Sequence, residues 1–493
     1  MIPYVQEMLQ KEVTDEERSN LFEFLILLLT NSNKSIEDLT KTLNEILDPT
    51  IEKFNKENFL QIINNVNNLT EFLGIDKSLN ILNSENEDEF LARRRDIYTM
   101  YSLVQKIFRS SLSINQVYYI DNIQLNKKKT ITNHFVKIAN SLGTMISNID
   151  SLFNPEINSQ VLHPDLIHLT GLFIDQYIHQ VSENNSNNNG ISLRIVLNYL
   201  KYNTKPKNYN DQMMLIILNQ SFKYWLNNLR GMIYQIISSA CTDNDEFYFV
   251  PDLKTFLKDY LFANIRFLNI IDLNTLINKI LYPIFDNCPS QLLDSIICSL
   301  YPDLISFLIE KIRNEWGAYN KQINKKNENE NNDEQNTCND QDEIQASEVV
   351  YDQFLRTLTR SFLKFIYQIS IKNEKNNHIS LNGALTEVLL QTILISLNFP
   401  DKKSLSKTFL IISSVRNNLS NIGNFSNWFS SNLLQEIFKA LANSKDEDIS
   451  NDLVSLILKI FQLNNSIIID TLKDLPNVNE NNLQEFFTLF EKS

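Results

Sequence analysis

The sequence predicts an all-α fold of two-helix repeats stacked into a solenoid. Three observations carry this. Apolar residues recur at helical spacing almost throughout the chain. Turn formers are scarce, with 8 Gly and 11 Pro in 493 residues, too few for the tight turns of a β fold. Two Leu-Tyr-Pro steps, at Pro283 and Pro302, lie nineteen residues apart, each beside an amphipathic run. That spacing suits one helix plus one turn, the half-unit of a repeat of about 40–47 residues. Stacked helix pairs are binding scaffolds rather than catalysts.

The elements follow in order. The longest apolar run, Leu21 to Leu29, includes Glu23 and is far shorter than the roughly 18–20 residues of a membrane span. A helix over Leu39–Leu47 is expected to end at Asp48-Pro49. Phe59, Ile62, Ile63, Val66, Leu69 and Leu73 form one stripe, with Gly74 as its C-terminal stop. Ile97, Met100, Tyr101, Val104, Ile107 and Phe108 form the next, preceded by Arg93-Arg94-Arg95. Lys127-Lys128-Lys129 reads as a loop before Ile131. Met213 to Ser239 is one long helix, or two broken near Gly231. Leu453, Leu456, Ile457, Ile460 and Phe461 close the pattern.

Two segments interrupt it. Residues 183–190 (ENNSNNNG) read as a low-complexity loop. Residues 327–343 hold seven acidic residues and no basic ones, which predicts a disordered acidic insertion. The helical pattern resumes on both sides of each, so residues 1–493 read as a single solenoid. The remaining Asn enrichment suggests no chemistry of its own.

A formal net charge of −14 gives the chain no overall basic field, so nucleic acid would need a local basic lining. The four cysteines, Cys241, Cys288, Cys298 and Cys338, have no CxxC pairing and read as reduced thiols of an intracellular protein. The N-terminal residues lack the pattern of a signal peptide. Phosphate-cradling Gly loops, GxSxG and HExxH are all missing. His163 and His168 are five apart, off the i, i+4 spacing of two ligands on one helix face. No enzyme, metal or cofactor is expected.

Three basic clusters are candidate partner contacts. Arg93 and Arg94 fan around a helix, with Glu85, Glu87, Asp88 and Glu89 upstream to neutralise them. Lys127, Lys128 and Lys129 have few acids nearby and are candidates for phosphate contact. Arg356, Arg360 and Lys364 stand at i, i+4 and i+8, one cationic stripe beside Phe354, Leu358, Phe362 and Phe365. Glu348 and Asp352 continue that spacing upstream and favour an Asp352–Arg356 pair, which leaves Arg360 and Lys364 for a partner. Trp225, Trp316 and Trp428 read as repeat core.

Residues 283–364 carry a resemblance. Glu315-Trp316 and Tyr319-Asn320, then the acidic insertion, then Val349-Val350-Tyr351-Asp352 and Leu355-Arg356-Thr357-Leu358-Thr359-Arg360 resemble the exportin-5 family. Residues 24–76, 93–109, 152–156, 222–239 and 406–470 resemble further parts of it in the same order. The likeness implies HEAT-like repeats of the importin-β superfamily and a nuclear export receptor. Such a receptor works with the GTP form of the small GTPase Ran and with nuclear pore proteins. It takes structured or double-stranded RNA, tRNA or protein as cargo, and shuttles between nucleus and cytoplasm without a membrane partner. The alternative is a helical-repeat scaffold that organises a protein complex without transport. The match is to the C-terminal half of longer receptors. The expectation is therefore a fragment, or a shortened protein without the N-terminal repeats that carry the superfamily's principal Ran contact.

Overall fold

The computed structural model describes residues 1–30, 36–77, 87–112, 121–164, 166, 211–330, 338–371, 382–419, 428, 432–443 and 447–461. Every regular element among them is a helix. Contacts group the chain into two compact units. One is Met1–Pro289 with Thr337–Tyr351, the other Ser290–Asn336 with Asp352–Ser493.

The first unit contains α1 (Ile2–Leu9), α2 (Asp15–Thr30), α3 (Ile36–Phe54), α4 (Glu57–Ile63), α5 (Val66–Leu73), α6 (Glu87–Leu112), α7 (Asp121–Ser151), α8 (Pro155–Val161) and α9 (Asp211–Cys241). There follow α10 (Asp245–Tyr248), then α11 (Leu253–Thr255), which runs into a π-helical turn at Phe256–Leu261. Last come α12 (Ile270–Leu276), a second π turn at Ile277–Leu281 and α13 (Tyr282–Asn287). Local chemistry sets the starts. Thr14 and Glu17 form a capping box before α2: the Thr14 amide donates to Glu17 Oε2, and the Glu17 amide to Thr14 Oγ1. Asn65, Asn154 and Asn269 accept the first amides of α5, α8 and α12. Part of the Asn enrichment therefore has a structural use.

The spacing of the lateral bonds gives the stacking. Between parallel helices the separation of bonded residues stays constant; in an antiparallel hairpin their sum does. Lys106 donates to Asn20, Arg109 to Glu23 and Ser110 to Glu23, at separations of 86, 86 and 87 residues. So α6 lies parallel on α2. His134–Asn44, Lys137–Asp48 and Ser141–Phe54, at 90, 89 and 87, lay α7 on α3 in the same sense. Tyr260–Asn140 and Asn264–Ser147, at 120 and 117, add the 256–264 segment beside α7. Trp225 Nε1 donates to the Arg94 carbonyl and joins α9 to α6. Like helices therefore stack on like, as in a two-helix repeat array. The short α4 and α5 lengthen the first step well beyond the 40–47 residues expected. Lys279–Gln235, at 44, returns to that period.

The second unit holds α14 (Ile297–Glu330), the part of α15 (Cys338–Ile371) from Asp352 on, α16 (Gly383–Ser396), α17 (Lys402–Leu419), α18 (Leu433–Asn443) and α19 (Glu447–Phe461). Moving up α14 from Tyr301 to Trp316 moves down α15 from Phe365 to Thr359, so these two form an antiparallel hairpin. Arg356 to Pro400 and Ser414 to Ser370, both at 44, set α17 parallel to α15. Lys402–Asp448, at 46, continues to α19. Here the period read from the Leu-Tyr-Pro steps holds.

Several local expectations change. Pro49 lies inside α3, because Thr50, Ile51 and Phe54 continue the buried face of Leu43, Ile46 and Leu47. Packing outweighs the lost backbone donor. The 59–73 stripe is split by the Asn65 cap, although Gly74 ends it as expected, at φ 73°. Lys127–Lys129 belong to the first turns of α7, not a loop. α9 is continuous through Gly231. Helix extends into the acidic insertion from both sides, to Glu330 and from Cys338. Residues 183–190 and His168 lie outside the described residues.

Two glycines give a paired test. A Cβ on Gly143 would sit 2.8 Å from Tyr260 Cγ and 3.1 Å from Phe256, where α7 meets the π turn. A Cβ on Gly231 would meet nothing within 4 Å. Gly143→Ala is expected to lower stability by about 1–3 kcal/mol through overpacking. Gly231→Ala, inside a helix, is expected to raise it by about 0.5–1 kcal/mol. Thermal unfolding of both variants checks the opposite signs.

Candidate functional site

The cationic stripe on α15 lies beside α17 in the second unit, and Asp401 organises the contact. Asp401 precedes α17 as its N-cap, its carboxylate accepting the Ser404 amide at 3.0 Å and the Ser404 hydroxyl at 2.6 Å. The same carboxylate accepts Arg356 Nη1 at 3.0 Å and Arg360 Nε at 2.8 Å. Burial raises the Asp401 pKa, but the hydrogen bonds from Arg360, Ser404 and Arg356 outweigh that and hold the carboxyl well below the usual range. Arg356 also pairs with Asp352, as the spacing predicted, and its guanidinium lies 5.5 Å from the Trp316 ring centre. Trp316 Nε1 in turn donates to Thr359 Oγ1 at 3.0 Å. The Glu315–Arg360 motif residues thus make one polar network joining α14, α15 and α17.

Arg360 is therefore paired, contrary to the reading that left it for a partner; its acid lies 41 residues downstream rather than four upstream. Lys364 is exposed and makes no ion pair among the described residues. The 44-residue offset of α15 and α17 sets it level with residue 408. Nearby on α17, Lys403 is exposed and Lys407 half-exposed, one turn apart on one face, again without an ion pair among the described residues. Leu410 follows at 53% exposed. The two helices carry Arg356, Arg360, Lys364, Lys402, Lys403 and Lys407 here; Asp352, Asp401 and, on α19, Asp448 pair with Arg356, Arg360 and Lys402. Exposed lysines thus gather on these two helices in a chain of net charge −14. Its unpaired lysines can meet phosphate or carboxylate groups without first breaking a bond. Lys403 and Lys407 escaped the sequence reading because only the repeat offset sets them at the level of Lys364, within about one turn along α17; their i, i+4 spacing was the available signal.

The other candidates sit differently. Arg94 is 3% exposed, its Nε donating to the Phe90 carbonyl and its guanidinium 3.9 Å from the Phe222 ring centre. It is a core residue and presents nothing to a partner. Arg93 pairs with Glu89, donates to the Phe72 carbonyl at 3.2 Å and stacks on Phe72. Arg95, left off the candidate set, is the exposed member of the triplet. Lys128 is half-exposed and Lys129 lies 3.9 Å from Glu246. The side chain of Lys127 lies outside the described residues. Lys129 also borders a groove of about 770 Å³ between α3 and α7, where Glu37, Glu45 and Asp48 mix with Lys41. Among the described residues no three His, Cys, Asp or Glu side chains form a metal-sized group. No described helix is long and apolar enough to cross a membrane.

Asp401→Asn is expected to cost about 2–3 kcal/mol, since two guanidiniums lose one buried carboxylate. A carboxyl with a lowered folded-state pKa contributes stability above its unfolded value, near 3.9. That contribution is lost as pH falls below it. Acid unfolding followed by circular dichroism should therefore be less steep in the variant.

Comparison with known proteins supplies the family. The model of the exportin-5 family matches residues 3–493. An exportin-5 of Dictyostelium discoideum is 24% identical over 98% of this chain and 40% of its own length. An uncharacterised protein of Schizosaccharomyces pombe is 29% identical over 30% of this chain and 12% of its own. The chain spans about two fifths of the length of the Dictyostelium relative. With helix pairs stacked like on like and a match across nearly all its residues, this chain belongs to the exportin-5 family.

Proposed function

We propose that the chain serves as a nuclear export receptor of the karyopherin type, or as the part of one that holds cargo. Structured RNA, tRNA or protein is carried from nucleus to cytoplasm with Ran-GTP, through contact with nuclear pore proteins. The observation that carries this reading is the family match over residues 3–493. The cationic row of α15 and α17 supports it. A scaffold that reads A-form backbone shape needs exposed cations at a fixed spacing rather than base-reading groups. Lys364, Lys403 and Lys407 are the cargo contacts of this proposal, with Arg360 held beside them by Asp401. Lys128 and Lys129 are secondary candidates in the first unit. Arg93 is already engaged within the fold.

The test is binding of a short RNA duplex with a 3′ overhang, with and without GTP-loaded Ran, across a salt series. The wild type is expected to bind with affinity that falls linearly in log salt. Lys364→Glu/Lys403→Glu/Lys407→Glu should weaken binding at least about tenfold and reduce the salt slope by roughly 2–3. Equal slopes would remove the row from the proposal. A folded chain that binds neither duplex, tRNA nor Ran-GTP at low salt, but holds a protein partner insensitively to salt, would support the non-transport scaffold instead.

A further inference from the structure

Three helices of the first unit meet at one buried guanidinium. Arg230, in the middle of α9, has a side chain 2% exposed. Its Nε donates to Asp150 Oδ1, in the last turn of α7, at 2.8 Å. Its Nη1 lies 2.7 Å from Asp272 Oδ1, in the first turn of α12. The face of the guanidinium lies 4.4 Å from the Phe153 ring centre, and Asn227 takes a long bond at 3.5 Å. Both carboxylates are at least nine-tenths buried. One cation thus ties together three helices, and it does so with one negative charge to spare.

That surplus is the informative part. Ionised carboxylates on both sides leave the cluster at net −1 in a setting where an uncompensated charge is expensive. Asp150 Oδ2, Asp272 Oδ2, Arg230 Nη2 and Tyr234 Oη are buried and make no hydrogen bond to the protein. A single proton on one carboxyl brings the cluster to neutrality and turns one of these unpaired acceptors into a donor. The groups facing Asp150 are Arg230 and Tyr234 from α9 and Asp272 from α12; among the described residues no other charged group bears on it. We propose that Asp150, Arg230 and Asp272 form a proton-linked clamp that grips α7, α9 and α12 more tightly when the cluster takes up one proton. Asp150 is the site of uptake. Burial pushes its carboxyl up to about 6, with Asp272 adding to the rise and Arg230 opposing it. Arg230 keeps its charge, because the two carboxylates outweigh its burial.

The sign follows from the raised pKa. The contribution is full below the unfolded carboxylate value and is lost as pH rises through about 6. His134 titrates with the opposite sense, since burial lowers its pKa to about 4, so the informative quantity is a difference between variants that share His134. Hydrogen exchange of the full chain, corrected for the intrinsic rate and followed in peptides of α7, α9 and α12, compares wild type with Asp150→Asn between pH 5 and 7.5. Wild-type protection is expected to fall about tenfold relative to the variant across that range, with no such change in peptides of α15 and α17. Asp272→Asn should move the step to lower pH, because one negative neighbour is gone. A flat wild-type to variant ratio overturns the clamp. If Asp150→Asn does not fold, Asp272→Asn against wild type decides it: a step that moves down supports the clamp, and one that stays in place overturns it.

Discussion

Several of the long helices among the described residues have an apolar face too wide for one hairpin partner to cover. On α9, Phe222, Trp225, Leu226, Leu229, Ile233, Tyr234, Ile236 and Ile237 are all buried, and they circle most of the helix. One antiparallel neighbour cannot exclude water from such a surface. At about 1.5–3 kcal/mol for each large side chain removed from water, covering the rest requires the next helix pair. The parallel contacts of α6 on α2, α7 on α3 and α17 on α15 follow from that need. Polar bonds then fix the register. Asn148 donating to the Ile63 carbonyl, and Ser414 to the Ser370 carbonyl, can form at only one offset.

The same stacking decides which charges stay available. Some cations find their acid on the like helix of the next repeat, far along the chain. Arg109 meets Glu23, Lys137 meets Asp48 and Lys402 meets Asp448 in this way. What remains unpaired at Lys364, Lys403 and Lys407 is left over from this pairing. An acidic chain can therefore keep a local basic surface, whose affinity for a polyanion depends on a few lysines and on ionic strength.

Much of the fold was legible because periodicity is local. The stripe Ile97–Phe108, the stop at Gly74 and the Asp352–Arg356 pair all depend on residues within one or two turns of each other. What escaped depended on distant partners. Pro49 reads as a break until α7 is packed against both halves of α3. Arg94 reads as surface charge until α9 brings Phe222 onto it, and Arg360 reads as unpaired until the next repeat supplies Asp401. The Lys364–Lys403–Lys407 row needs the 44-residue offset, which a pair of Leu-Tyr-Pro steps suggested but could not place on particular faces.

The two π turns beside α11 and α12 have a consequence for chain length. Each holds one residue more than an α-helical path would need. Ile277–Leu281 lies between Leu273 and Leu276 on one side and Ile284 and Phe285 on the other, all of them buried. Removing one residue there would leave an ordinary helix with good backbone bonds throughout. The path would keep its facing beyond Tyr282, because the π turn is what takes up the extra residue. Ile284 and Phe285 would stay inside, and the Tyr248 hydroxyl would keep the Ile284 carbonyl it meets at 2.9 Å. In this segment the residue count is therefore the looser constraint, so homologous chains should tolerate the loss of one residue here as well as apolar exchanges.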